Sequence, residues 1–143
     1  MVDALKEVWR VLIPGGLLLD WRDLPEDWPV EIVAGSRVQC AGSKDSSSRI
    51  SKHAAADASL AQVVQQGLFA CESRHSLDCA WYWDTLDEME ERAEEPGAPE
   101  WRLNPSLPEE IQAQARRLMA ESPEDAVVRV RINMAISQYR KQR

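Results

Sequence analysis

The chain opens on a helical repeat. Leu5, Val8, Trp9 and Leu12 fall at i, i+3, i+4 and i+7, one apolar face of an α-helix. Pro14 has no N–H and its ring clashes with the preceding turn, so the helix stops before it. Gly15 and Gly16 follow as the positive-φ positions of a sharp reversal. Leu17, Leu18 and Leu19 form a continuous apolar run, expected of a strand covered on both faces in a parallel sheet. Asp20, Trp21 and Arg22 arrive together where that strand ends.

Downstream the periodicity alternates between helix and strand. Val30–Val33 and Val38–Cys40 flank Gly35–Ser36 and predict a small hairpin. Residues 42–52 are Ser-rich and charged, offer nothing to bury, and predict a mobile loop. Ala54–Gln66 predicts a helix with Ala56, Leu60, Val63 and Val64 as its stripe and Gly67 as its C-terminal cap. Leu68–Trp83 has period two. Phe69, Cys71, Leu77, Cys79, Trp81 and Trp83 share the face expected to be buried, with His75 satisfied among them, and Glu72, Arg74, Ser76 and Asp78 share the polar face. Asp84 is the expected cap of a helix that turns Leu86, Met89 and Ala93 inward, its many acids being a solvated face. Pro96–Pro105 reads as a loop and Pro108–Glu121 as a helix with Ile111, Ala115, Leu118 and Met119 on one face. Ala126–Ile136 is the clearest strand. Its even positions Ala126, Val128, Val130, Ile132, Met134 and Ile136 are apolar, while Arg129, Arg131 and Asn133 are polar. The basic end, Arg140, Lys141 and Arg143, reads as a frayed terminus.

Composition narrows the class. With 143 residues the chain is expected to form a single domain, 1–143, and 44% hydrophobic with 29% charged residues is ordinary for a globular protein. A net charge of −7 argues against a nucleic-acid partner, since phosphate neutralisation needs a basic surface. No apolar stretch approaches the roughly 18 residues of a membrane span. Cys40, Cys71 and Cys79 form no C-x-x-C pair, and His53 and His75 are the only histidines, so no metal site is expected. Reduced, buried cysteines fit a cytoplasmic protein. Six Trp against one Phe mark core or pocket-lining positions.

The opening segment resembles a known pattern. Leu5, Glu7, Arg10, Val11, Leu12, Pro14, Gly15 and Gly16 match the helix–PGG–strand unit L-x-E-x-x-R-V-L-K-P-G-G of class I S-adenosylmethionine-dependent methyltransferases (methyltransferase type 11-like), with Ile13 in place of Lys. The resemblance implies that Leu17–Asp20 is the fifth of seven strands. It implies an α/β fold: the last three strands of a Rossmann-like methyltransferase sheet, the final strand antiparallel and inserted, with flanking helices. Ala126–Ile136 would then lie between Leu17–Asp20 and Leu68–Trp83, and Arg129 and Arg131 would meet Glu72 and Asp78. The family's cofactor loop and second-strand acid have no counterpart in these residues. The chain therefore resembles the C-terminal half of such an enzyme, with no cofactor-binding residue of its own, and is expected not to bind S-adenosylmethionine alone. The glycine pair is no phosphate cradle, because a cradle runs strand, glycines, helix and the order here is the reverse.

In the family the reaction centre lies over the carboxyl ends of the fourth and fifth strands. The resemblance therefore implies Asp20 as a candidate catalytic base, Trp21 as a substrate wall and Arg22 as a carboxylate holder. The plain alternative is an Asp20–Arg22 ion pair beside a packed Trp. Three functions stay open: a truncated methyltransferase acting on a small-molecule acceptor, a split-enzyme subunit completed by a cofactor half, and a non-catalytic interaction module. The expected partner is a second copy or a cofactor-half chain, through the unpaired edge of strand 17–20.

Overall fold

A computed structural model describes residues 1–94 and 107–143. The expected loop Pro96–Pro105, Trp101 and the side chain of Ala93 lie outside the described residues. The elements are α1 (Val2–Val11), β1 (Leu17–Asp23), β2 (Trp28–Ala34), β3 (Arg37–Lys44), α2 (Ser47–Gln65), β4 (Phe69–Trp83), α3 (Leu86–Glu94), α4 (Glu109–Ala120) and β5 (Val127–Lys141).

The protein is mixed α/β, with β5 as the hub of a five-stranded sheet. β5 pairs with β1, β2 and β4, and β3 pairs with β2. The pairs β1–β5, β2–β5 and β2–β3 are antiparallel. The parallel environment expected for Leu17–Leu19 is thus replaced by an antiparallel one. One face of β1 is open to solvent, as an antiparallel sheet allows. Leu17, Leu19 and Trp21 are 43%, 58% and 62% exposed. Among the described residues β1 and β4 each have β5 as their one strand partner.

The chain divides into two compact units, with β4 and β5 running through both. The first comprises Met1–Glu26, Ser46–Asp78 and Asn133–Arg143. Its core is Leu60, Val63, Phe69 and Tyr139, with Leu5, Val8, Trp9, Leu12 and Leu18 packed against it. The helical repeat at the start of the chain thus packs the face it predicts against this core, where those side chains are half-buried. The reversal after α1 needs one positive φ, at Gly15 (φ +74), and not two. Gly16 is required for a different reason: a Cβ there would meet the Ile13 carbonyl oxygen at 2.9 Å. Residues 42–52 form no loop, because β3 runs to Lys44 and α2 begins at Ser47, with Ser46 buried between them. α2 ends as expected at Gly67 (φ +71), where Leu68 N–H donates to Val63 O and Gly67 N–H to Val64 O, a Schellman ending.

The second unit comprises Asp27–Asp45 and Cys79–Ile132. In its described part, Trp28, Val30, Ile32, Leu86, Met89, Ala115, Leu118, Val128, Val130 and Ile132 are buried. α3 is capped by Thr85, whose hydroxyl accepts from Glu88 N–H at 3.0 Å, one residue later than the expected Asp84.

Three expectations about the long strands are corrected. Buried positions in β5 are Val128, Val130 and Ile132 in the second unit but Ala135, Ser137 and Tyr139 in the first, so parity changes along the strand. Met134 and Ile136 are consequently only half-buried. In β4 only Phe69 is buried; Cys71, His75 and Leu77 are exposed, and Cys40 on β3 is exposed as well. Arg129 bonds Glu31 at 2.7 Å and Arg131 approaches it at 3.8 Å, while Glu72 is held by Arg140 and Gln138. The basic end is ordered: Arg140 also donates to Gly15 O at 2.8 Å, and Lys141 Nζ donates to Leu12 O at 2.6 Å and lies 4.4 Å from the Trp9 ring centre.

Candidate functional site

The site of interest lies in the first unit, where the end of β1 meets α2. In a strand, successive side chains point to opposite faces, so Asp20 and Arg22 share one face and Trp21 takes the other. The inner face of β1 is set by Leu18, which packs on the Leu60–Val63–Phe69–Tyr139 core. Across the ladder Leu18 lies opposite Tyr139, Asp20 opposite Ser137 and Arg22 opposite Ala135. Asp20 and Arg22 therefore face α2, and Trp21, opposite Ile136, is 62% exposed.

Arg22 is the centre of a charge network. Its Nε donates to Asp20 Oδ2 at 2.9 Å, Nη2 donates to Asp57 Oδ1 at 2.6 Å, and Nη1 donates to the His53 carbonyl at 3.3 Å. Partial burial works against its charge, but the bonds to Asp57 and Asp20 outweigh it and hold its pKa above the ordinary guanidinium value. Next to it, Asp23 accepts from Arg49 and lies 3.7 Å from His53 Nε2. Asp23, Arg49, His53 and Asp57 were not singled out in the sequence. A signal existed: Arg49, His53 and Asp57 recur at i, i+4 and i+8, one helix face. That signal becomes legible only when α2 is extended through the Ser-rich stretch.

Beside the network lies a partly open pocket of about 20 Å³ lined by Arg22, Asp23, Leu24, Pro25, His53, Asp57, Arg74 and Ala135, room for about one water molecule. S-adenosylmethionine is far larger, so these residues do not fit the cofactor that the sequence resemblance implies. Nor is the trio brought together as one pocket. Asp20 and Arg22 are engaged with each other and with α2, while the Trp21 ring stands on the opposite face. His75, exposed on β4, is no part of this site. Among the described residues no group of three or more His, Cys, Asp or Glu side chains is arranged to hold a metal ion. No described helix is long and apolar enough to cross a membrane.

The chemistry open to this arrangement is therefore positioning and ion pairing. Each Arg22 guanidinium nitrogen donates to an acceptor, and Asp20 is held by the same guanidinium that would otherwise bind a carboxylate ligand. The network fastens α2 to β1 and leaves the outer face of β1 as the accessible part. Comparison with known proteins adds no further guide: no family model, no curated protein and no solved structure matches the chain.

Proposed function

We propose that the chain is the C-terminal portion of a class I S-adenosylmethionine-dependent methyltransferase-like domain, carrying the last three strands of a Rossmann-like sheet with the final strand antiparallel and inserted. It serves methyl transfer to a small-molecule acceptor once a cofactor-binding half completes it, on the same polypeptide or on another. The observation that carries this reading is the environment of β1. The matched helix–PGG segment forms α1, a tight turn and β1, and β5 pairs with both β1 and β4. β1 has no second strand partner among the described residues and leaves Leu17, Leu19 and Trp21 exposed. An α/β sheet that continued past β1 would bury both that edge and that face. In the completed domain Trp21, rather than Asp20 or Arg22, is the member of the trio free to touch an acceptor.

One observation favours a second reading, the non-catalytic interaction module. Asp20 and Arg22 are already paired, and Arg22 is anchored to Asp57 as well. Equilibrium dialysis with labelled S-adenosylmethionine separates the two. The isolated 143-residue chain is expected to bind none, and the tagged chain recovered natively from its own source, with whatever completes it, is expected to bind one equivalent. Failure of the native form to bind would favour the interaction module. A one-to-one site of low micromolar affinity on the isolated chain would contradict the reading that the cofactor half lies elsewhere.

A further inference from the structure

We propose that α1 is a flap: it lifts from the first unit as one piece, pivoting between Leu12 and Ile13, and the Lys141 ammonium is the latch that holds it shut. The inference goes beyond the methyltransferase reading and stands on the first unit alone.

The closed position is held loosely. None of the 10 residues of α1 is buried, and Leu5, Val8, Trp9 and Leu12 are only half-buried where they lie on the Leu60–Val63–Phe69–Tyr139 core. The helix has no side-chain cap at its start, and Arg10 pairs with Glu7 of the same helix at 2.8 Å. Among the described residues one hydrogen bond ties α1 and its C-cap Leu12 to the rest of the unit, from Lys141 Nζ to Leu12 O at 2.6 Å. The same ammonium lies 4.4 Å from the Trp9 ring centre, a cation–π contact. A cation at this end of a helix also complements its dipole. One feature opposes closure: the Trp9 Nε1 is buried and, among the described residues, has no acceptor. A buried donor left unpaired is a cost that lifting removes, because water then solvates it.

The turn that follows is held from the other side. Arg140 donates to Gly15 O at 2.8 Å, Lys141 N–H to Gly16 O at 2.9 Å and Gly16 N–H to Ile13 O at 2.9 Å, so residues 13–16 stay with β1 and β5. The chain has already left the helix at Leu12 (φ −67, ψ 143), and Ile13 is 75% exposed. Rotation between them gives up the Lys141 latch and the half-buried stripe while the β1–β5 ladder stays intact. Once lifted, α1 melts, since a helix of 10 residues is too short to persist alone in water. Simple fraying differs from this: it runs inward from Met1 and leaves the Leu12 end best protected.

Native-state hydrogen exchange on the intact chain, at urea concentrations below the unfolding transition, tests the proposal. The amides of residues 6–12 are expected to share one opening, with protection at least about a hundredfold below that of residues 61–65 in α2 and 135–139 in β5. That opening is expected to depend on urea far less than exchange of the reference amides, because only one helix exposes its surface. Lys141→Met keeps the stem on the Trp9 ring and removes the donor and the charge; it is expected to speed α1 exchange about tenfold, the equivalent of one charge-assisted hydrogen bond. Arg129→Met removes a pair that lifting leaves untouched, so it is expected to leave α1 exchange unchanged while the reference amides exchange faster. Equal protection and urea dependence in α1 and the reference amides, protection graded from Met1 toward Leu12, α1 exchange indifferent to Lys141→Met, or α1 exchange accelerated by Arg129→Met would each overturn the proposal. The pattern in the parent chain decides the first two without any variant. None of these readouts involves S-adenosylmethionine, so failure here is distinct from failure of the methyltransferase reading.

Discussion

Arg129→Met is the substitution whose cost is best worked from the structure. Arg129 stands directly opposite Glu31 on the β2–β5 ladder, and its Nε donates to Glu31 Oε2 at 2.7 Å. The Glu31 side chain is 9% exposed and that of Arg129 20%. The hydrogen bond to Glu31 is the chief cause of an Arg129 pKa above the ordinary guanidinium value, against the opposing effect of burial. Met keeps the apolar stem and removes the charge, leaving a buried carboxylate. Breaking a buried pair from one side costs about 3–5 kcal/mol. Arg131 Nη1, 3.8 Å from Glu31 Oε1, compensates in part, and Arg129 is one-fifth exposed. We expect a loss of about 2–3 kcal/mol, which for a chain of this length lowers the melting temperature by roughly 7–10 °C. Adding Glu31→Gln should recover about 1 kcal/mol, because the penalty is the stranded charge and not the lost pair. Urea unfolding followed by Trp fluorescence measures both, since Trp28, Trp81 and Trp83 belong to the same unit as the pair. A loss below about 0.5 kcal/mol for Arg129→Met, or a double variant as unstable as the sum of the singles, would refute the reasoning.

Three further outcomes are expected. Gly42→Ala should cost about 2–3 kcal/mol in the same urea assay, because the position has φ +149 and a Cβ would meet Ile111 Cγ1 at 2.9 Å; Ile111→Ala in the same chain should restore part of it by removing the clash. The hydrogen bond from Arg140 holds the Glu72 pKa below its ordinary 4.5, so its contribution is present above that pH and is lost as pH falls through the folded value. Glu72→Gln should therefore flatten the acid limb of a melting-temperature profile below about pH 4.5, with no change near neutrality in that slope. Burial raises the Tyr139 pKa above its ordinary 10.0, so its contribution is complete below pH 10 and declines as pH rises toward the folded value. Tyr139→Phe should reduce the alkaline loss of stability and remove a late-ionising phenol from the absorbance titration.

Much of the secondary structure follows from local pattern. The i, i+3, i+4, i+7 repeat of Leu5, Val8, Trp9 and Leu12 specifies both a helix and the face that packs on Leu60, Val63, Phe69 and Tyr139. Pro14 and the two glycines specify the reversal, and Gly67 the end of α2, because steric limits on φ act within a few residues. The hairpin of β2 and β3 was likewise legible from its two short β-like runs around Gly35, and alternation marked β4 and β5 as strands; that β5 lies between β1 and β4 came from the resemblance and not from the pattern. Proximity of Asp20 and Arg22 required only the period of a strand.

What covers each face was not legible, because burial depends on what the rest of the chain brings there. The even positions of β5 are apolar from Val128 to Ile136, yet the first unit buries Ala135, Ser137 and Tyr139. The residues opposite them on β1 explain why: Leu18 faces Tyr139 and points into the core, so Leu17, Leu19 and Trp21 must point out. The partners of the charges are tertiary facts for the same reason. Ion pairing requires only proximity, and Glu31 lies beside Arg129, and Asp57 beside Arg22, through contacts 98 and 35 residues apart in sequence. Local propensity similarly underestimates α2, whose Ser-rich start has no apolar stripe. Arg49, His53 and Asp57 find partners there only once β1 lies alongside, and it is β1, not helix propensity, that gives the first turns of α2 something to hold.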